Sequence, residues 1–343
     1  MSFGASFLAR PGDLLDDPAS AWGERPWGTL SRRLDLAGGP YHLVGLAAGH
    51  DEALVSRFGP AQPPSEERPD ERGEGVVGHL WHLDASAVRT PPFDGWSYTF
   101  DRAPSSDRLL LAGLGFAARL ALDRRGAPTT VEVWTPHSQG DDFGCLAANV
   151  LRTVVAYRLL ADGGLLVHSA GIVRPMHGAR GHQVPKVDVF LGHSGAGKST
   201  LSRRALDAGR RVLSDDMNAL SVAEDGTLEV EKLPFTGELG RVPGPRERLP
   251  LGRLCKLEKG PSALRPLSRA RALGFMLTCA PFVNDDPFRA DRLLSVLDTI
   301  TARHPLHVLR VSLDDSPWPL LDSSPDVLAD GARDSTRAAD SAT

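Results

Sequence analysis

The chain has 343 residues, 39 Lys and Arg against 43 Asp and Glu, a formal net charge of −4, 41% apolar residues and 24% charged ones. That is ordinary globular composition, at a length that lets one or two domains each bury a core. The near balance of charge argues against broad binding to nucleic acid or to an anionic membrane.

Three cysteines, Cys145, Cys255 and Cys279, lie far apart with no C-x-x-C pair. This argues against a cysteine-rich zinc site or a disulfide framework, and fits a reducing cytoplasm. The N-terminus, MSFGASFLARPGDLLDD, lacks the basic and apolar regions of a signal peptide. No run of about 18 apolar residues predicts a membrane span. The expectation is a cytoplasmic protein without a nucleic-acid or membrane partner.

In chain order, the first 60 residues read as irregular, and the Pro-rich, charged stretch PAQPPSEERPDERGEG (60–75) as a mobile loop. Short strands are predicted at 76–83 (VVGHLWHL), 96–100 (WSYTF), 115–123 (GFAARLALD) and 129–135 (TTVEVWT). Residues 1–140 thus form a smaller, mostly β region, expected to be a small antiparallel sheet. The pattern then changes. FGCLAANVLRTVVAYRLLA (143–161) has helical spacing and stops at Gly163-Gly164. LLVHSAGIV (165–173) and KVDVFLG (186–192) read as buried strands. A helix from 199 to 208, strands at 210–215, 228–233 and 251–260, helices near 266–280 and 285–303, and a strand at 306–313 complete an α/β domain over 141–320. Residues 321–343, rich in Asp, Ser, Ala and Arg, are expected to be a disordered tail.

Residues 192–200, GHSGAGKST, match G-x-x-x-x-G-K-[ST] in full, with an apolar strand before and a helix after. Glycines let backbone N–H groups converge on phosphate oxygens, and the helix N-terminus adds its positive end. The nucleotide-binding candidates are therefore Gly192, His193, Ser194, Gly195, Ala196, Gly197, Lys198, Ser199 and Thr200. Lys198 suits the β- and γ-phosphates of ATP, and the Ser199 hydroxyl suits Mg²⁺. Asp215 and Asp216 end the strand RRVLSDD, which in an open α/β sheet puts two carboxylates near the phosphates. One is a candidate metal ligand, the other a candidate proton acceptor. His168 lies on the strand before the loop strand.

Taken in order, VHSAGIV, GHSGAGKST and RRVLSDD resemble the catalytic domain of the HPr kinase/phosphorylase family, which belongs to the phosphoenolpyruvate-carboxykinase-like P-loop kinases. KLPFTGELG, RLCKLEKG and CAPFVNDDPFRADRLL resemble the HPr-kinase-related proteins often encoded in peptide-modification clusters. The resemblance spans about residues 145–315. It implies that Asp215 is the acid/base for the acceptor hydroxyl and that His168 stands near the phosphates. Asp216 and a downstream glutamate, matched here by Glu238, would support the metal with Ser199. It also implies ATP and Mg²⁺ as cofactors, a protein or peptide Ser/Thr acceptor, and a homo-oligomer by analogy with the hexameric HPr kinases. The glycine-rich segment that marks true HPr kinases has no evident counterpart, and the N-terminal region does not match theirs. The acceptor implied is therefore a protein or peptide other than HPr, a ribosomally made precursor among the candidates.

Two other readings stand beside this one: a small-molecule P-loop kinase, and an ATP-binding adaptor without phosphotransfer. Arg241, Arg246, Arg248 and Arg253 offer a phosphate or acidic-substrate clamp, or else a solvated charge run. His79-x-x-His82 and His304-x-x-His307 have metal-like spacing without acidic or cysteine partners, and read as structural.

Overall fold

The structure, a computed structural model, describes residues 22–59, 75–84, 101–113, 115–174, 185–240, 242 and 246–323. Most of the expected 60–75 loop, the 96–100 strand, residues 175–184, Arg241 and residues 324–343 lie outside these. The chain divides into two compact units, residues 1–162 with 285–290, and residues 163–284 with 291–343. The division falls after Asp162, where the sequence reading set it after residue 140.

The first unit holds a seven-stranded sheet in the order β1-β2-β3-β7-β6-β5-β4. The strands are β1 (Leu30–Leu34), β2 (Tyr41–Leu46), β3 (Val76–His82), β4 (Asp101–Pro104), β5 (Arg108–Gly113), β6 (Phe116–Leu122) and β7 (Pro128–Thr135). The sheet is mixed, because β3 runs parallel to both β2 and β7. This corrects the all-antiparallel expectation. Residues 30–58 are also regular, forming β1, β2 and helix α1 (Ala48–Phe58). Helix α2 (Gly140–Ala161) supplies the main helical cover. It is long and apolar enough to cross a membrane by composition, yet most of it is buried in the protein, as a core helix is. Phe143, Leu146, Val150 and Val154 of α2 line, with Tyr41, Leu80, Val131 and Val133, an apolar cavity of about 50 Å³.

Near its end α2 carries Tyr157, whose buried hydroxyl donates to Asp286 Oδ2 at 2.6 Å. Asp286 Oδ1 accepts from Phe288 N at 2.8 Å. This pins segment 285–290 into the first unit. Burial and the neighbouring carboxylate push the Tyr157 hydroxyl far above the usual tyrosine range. Tyr157→Phe leaves one oxygen of a buried carboxylate without its partner. We expect a loss of about 1–3 kcal/mol, read as a lower urea midpoint in the tryptophan fluorescence of the first unit; an unchanged midpoint would contradict this.

The second unit is mixed α/β, with eight strands in one sheet. Its strands are β8 (Leu165–Val173), β9 (Val187–Leu191), β10 (Val212–Ser214), β11 (Met217–Val222), β12 (Leu228–Lys232), β13 (Arg248–Lys259), β14 (Ala263–Pro266) and β15 (Leu306–Val311). Its helices are α3 (Lys198–Asp207), α4 (Arg269–Thr278), α5 (Ala290–Arg303) and α6 (Trp318–Ser323). Strand β9, VDVFL, is buried at every residue, as a strand covered on both faces must be. It runs parallel to β13, and β13 runs parallel to β15. The carboxyl ends of these three strands therefore open on one side. Strand β8 runs antiparallel to β9, β10 and β11.

Helix α3 is seated by Leu201 and Ala205 in a core with Phe190, Ile172, Val212, Leu309, Trp318 and Leu321. Leu321 is buried, and Asp322 receives two hydrogen bonds from Arg210, at 3.0 and 2.6 Å. Residues 321–323 are thus part of α6, not the start of a tail.

Candidate functional site

The loop between β9 and α3 turns on Gly195 and Gly197, whose φ angles of 76° and 101° lie in the left-handed region open to glycine. Lys198 opens α3 and is buried. Its ammonium donates to Gly192 O at 2.6 Å and to His193 O at 3.2 Å, which ties the lysine across its own loop. Burial lowers the Lys198 pKa, and Cys279, Asp216 and Glu238 pull it back up.

Asp215 and Asp216 form a bend between β10 and β11, both of which pair with β8. They directly follow the carboxyl end of β10, a strand's end as the sequence reading has it, and lie where two antiparallel partners of the His168 strand meet. The bend is held by Ser214 Oγ donating to Met217 O at 2.8 Å and by Ser169 N donating to Asp216 O at 2.9 Å. Met217 pairs with His168, so the aspartates stand just along β8 from the histidine. His168 Nε2 lies 3.7 Å from Asp216 Oδ1, with its side chain 40% exposed.

Asp215 is only 4% exposed. Its Oδ2 accepts from Leu239 N at 2.7 Å, while its Oδ1 is buried with no hydrogen-bond partner. Burial raises the Asp215 pKa, and the nearby Asp216 adds to the rise; the backbone N–H of Leu239 works against it. A buried, half-satisfied carboxylate of raised proton affinity is what a general base at near-neutral pH needs.

One cleft of about 660 Å³ gathers these groups. Its walls include Ser194 to Thr200 of the loop, His168, Asp215, Asp216 and Glu238. Gly192 and His193 do not line it. The His193 ring packs edge-on against Phe275 at 5.7 Å, and its carbonyl receives Lys198. The far end of the cleft is built by Lys259, the last residue of β13, by Gly260 after it and by Ser312 to Asp314 after β15. From sequence, Lys259 and Gly260 entered only within the segment RLCKLEKG and the turn only through Glu238; Ser312 to Asp314 were not singled out.

Among the described residues, no group of three or more His, Cys, Asp or Glu side chains forms a metal site. Mg²⁺ bound with a triphosphate keeps waters and phosphate oxygens, and needs only one or two protein oxygens. Ser199 and Asp216 offer such hard donors in the cleft. Glu238 lines the cleft too, but its side chain is 69% exposed and stands 3.6 Å from Arg203 Nη2.

The arginine clamp is corrected. Arg246 and Arg248 both bind buried Glu231, the latter at 2.9 Å. Arg253 donates to Leu321 O at 2.6 Å and lies 3.7 Å from buried Asp188. None of these three lines the cleft. His79 stacks on Trp81 at 5.4 Å, and His82 lies 4.4 Å from Trp27. Cys279, whose carbonyl accepts from His168 N at 2.9 Å, is buried close to Gly192 and Lys198, and burial pushes its thiol up.

Compared with known proteins, the chain matches no family model and no curated protein.

Proposed function

We propose that the chain is an ATP-dependent kinase that transfers the γ-phosphate to a Ser or Thr hydroxyl of a protein or peptide. On this reading, the second unit is an HPr-kinase-related P-loop kinase domain of the phosphoenolpyruvate-carboxykinase-like type. The observation that carries the proposal is one cleft lined both by Ser194 to Thr200 of the phosphate loop and by a buried carboxylate with an unpartnered oxygen. The first predicts a bound triphosphate; the second supports an acceptor hydroxyl beside it. An adaptor that only binds ATP has no need of the second.

In this mechanism the backbone N–H groups of Ser194, Gly195 and Gly197 and the Lys198 ammonium hold the phosphates. Ser199 and Asp216 would hold Mg²⁺, with Glu238 as a third candidate, and the ion supplies charge neutralisation at the phosphates. His168 orients Asp216. Asp215 accepts the acceptor's proton as its oxygen bonds to the γ-phosphorus and the bond to the β,γ-bridging oxygen breaks, releasing ADP. Lys198 stabilises charge developing on the transferred group. The three free thiols fit a cytoplasmic setting.

The test is transfer from γ-³²P-ATP with Mg²⁺ to HPr, to the short peptides encoded beside the gene and to a metabolite panel. Label on a peptide or protein Ser or Thr is the expected result. Label on small molecules alone would replace the acceptor class, and ATP binding with no label anywhere would replace the kinase reading by the adaptor.

A further inference from the structure

The strands that carry the cleft pair side by side in the order β10-β8-β9-β13-β15. The phosphate loop follows β9, so it stands between two sets of groups. On the β8 side are His168, Asp215 and Asp216; on the β13 side are Lys259, Gly260 and Ser312 to Asp314. A triphosphate held by the loop with its γ-phosphate toward the two aspartates has its α-phosphate, and whatever that carries, on the β13 side.

That side carries an apolar strip, Leu257, Val311 and Leu313. Leu257 adjoins the loop, since a Cβ built on Gly197 would fall 3.8 Å from its Cδ2. Val311 sits on the next strand, opposite Lys259, and Leu313 lies two residues beyond it with 82% exposure. Two strand spacings put the outer end of the strip about 10 Å from the loop, the scale of a nucleoside. The loop that presents Leu313 is braced. Arg204 of α3 donates to Ser312 O at 2.8 Å and to Asp315 O, Ser312 Oγ accepts from Asp314 N at 3.1 Å, and Gly260 N donates to Val311 O at 3.2 Å. Arg204 stands one helical turn after Thr200, so the helix that opens at the phosphate loop also fixes the leucine.

We infer that Leu257, Val311 and Leu313 form the nucleoside subsite of the cleft, where the face of a nucleobase lies on Leu313 while the triphosphate occupies the loop. The inference deepens the kinase reading and rests on it for the triphosphate. Covering Leu313 removes apolar surface from water, which favours a nucleoside triphosphate over the bare polyphosphate chain. A leucine offers no donor or acceptor to a base edge, so this contact favours a base over none without choosing among purines.

The experiment is isothermal titration of the full chain with ATP and with inorganic tripolyphosphate, both with Mg²⁺, in wild type, Leu313→Ser and Leu206→Ser. Leu206 is the control: it is 49% exposed on α3 and does not line the cleft. Leu313→Ser is expected to raise the Kd for ATP about five-fold or more, as part of a leucine's burial is lost, and to leave that for tripolyphosphate unchanged; Leu206→Ser should change neither. An ATP affinity that holds in Leu313→Ser, or one that falls together with that for tripolyphosphate, would overturn the inference. Photolabelling with 8-azido-ATP and peptide mapping give the direction independently. Label is expected within 257–260 or 311–314, and label confined to 215–240 would equally overturn it. Neither readout needs catalysis. A wild type that binds and is labelled as expected but transfers no phosphate sinks the kinase reading alone, whereas phosphotransfer with an unmoved Leu313→Ser sinks the subsite alone. A wild type that binds neither ligand takes both down.

Discussion

Asp215→Asn is expected to lower kcat for phosphotransfer by roughly 10²–10⁴-fold, the range that a positioned proton acceptor contributes, while leaving ATP affinity close to wild type. The separation follows from the geometry. The phosphate loop is built by β9 and α3, whereas Asp215 hangs from the bend between β10 and β11. The amide oxygen of Asn can still accept from Leu239 N, so the fold around the bend is kept. Single-turnover transfer with ATP binding measured separately checks this. Equal loss of binding and turnover would mean that Asp215 holds nucleotide, not a proton.

The same substitution should raise stability at neutral pH, and the sign can be worked out. Burial raises the Asp215 pKa above its ordinary value. Between the unfolded carboxylate's value, about 3.9, and the raised folded one, the native state binds more protons than the unfolded chain. Wild-type stability therefore falls as pH rises through that window and then levels off. Asn carries no such dependence, so the stability gap between variant and wild type should open with pH across the window and stay open above it. Denaturant midpoints from pH 4 to 8 measure it. Loss of activity with gain of stability is the mark of a group kept in a costly environment for chemistry.

The phosphate loop was legible in the sequence because phosphate binding dictates residue types at fixed spacing, in a strand-loop-helix context that hydropathy also reveals. The aspartate pair and His168 were legible as residues, but their meeting was not. It depends on β10 and β11 both pairing with β8 around a bend, and MNALSV did not read as a strand because Asn218 interrupts its apolar run. Asn218 is buried by donating to Ser169 O and Oγ, at 3.0 and 2.9 Å. In the same way Arg32 hid β1: it is buried through its ion pair with Asp51 of α1, a partner the sequence does not announce. Strand β14 escaped notice as a short edge strand ending in Pro266. The turn Gly237–Gly240 was legible only through Glu238; its Leu239 N–H, from which Asp215 Oδ2 accepts, leaves no chemical signature in a sequence.

Lys198→Ala is expected to impair both turnover and ATP binding, because the side chain serves two ends. Its ammonium cross-links the loop through Gly192 O and His193 O, and it is the cation the proposed mechanism assigns to the β- and γ-phosphates. Removing one preorganised donor from developing charge costs roughly 10²–10³-fold in turnover, and the slackened loop should add a loss of ATP affinity that Asp215→Asn does not show. Lys198→Met separates the two contributions from packing, since it keeps the apolar stem. Isothermal titration with ATP, beside single-turnover transfer, reads both; wild-type transfer by either variant would exclude Lys198 from the chemistry.

A stability measurement adds an independent check. Burial holds the Lys198 pKa below its ordinary value. The unfolded chain therefore binds more protons than the native state between that lowered value and about 10.4, and wild-type stability rises with pH across the interval. Lys198→Met removes this dependence, so wild type should gain on the variant as pH is raised toward 10.4. A constant difference over that range would mean that the lysine is not held in the low-dielectric seat from which the mechanism has it act.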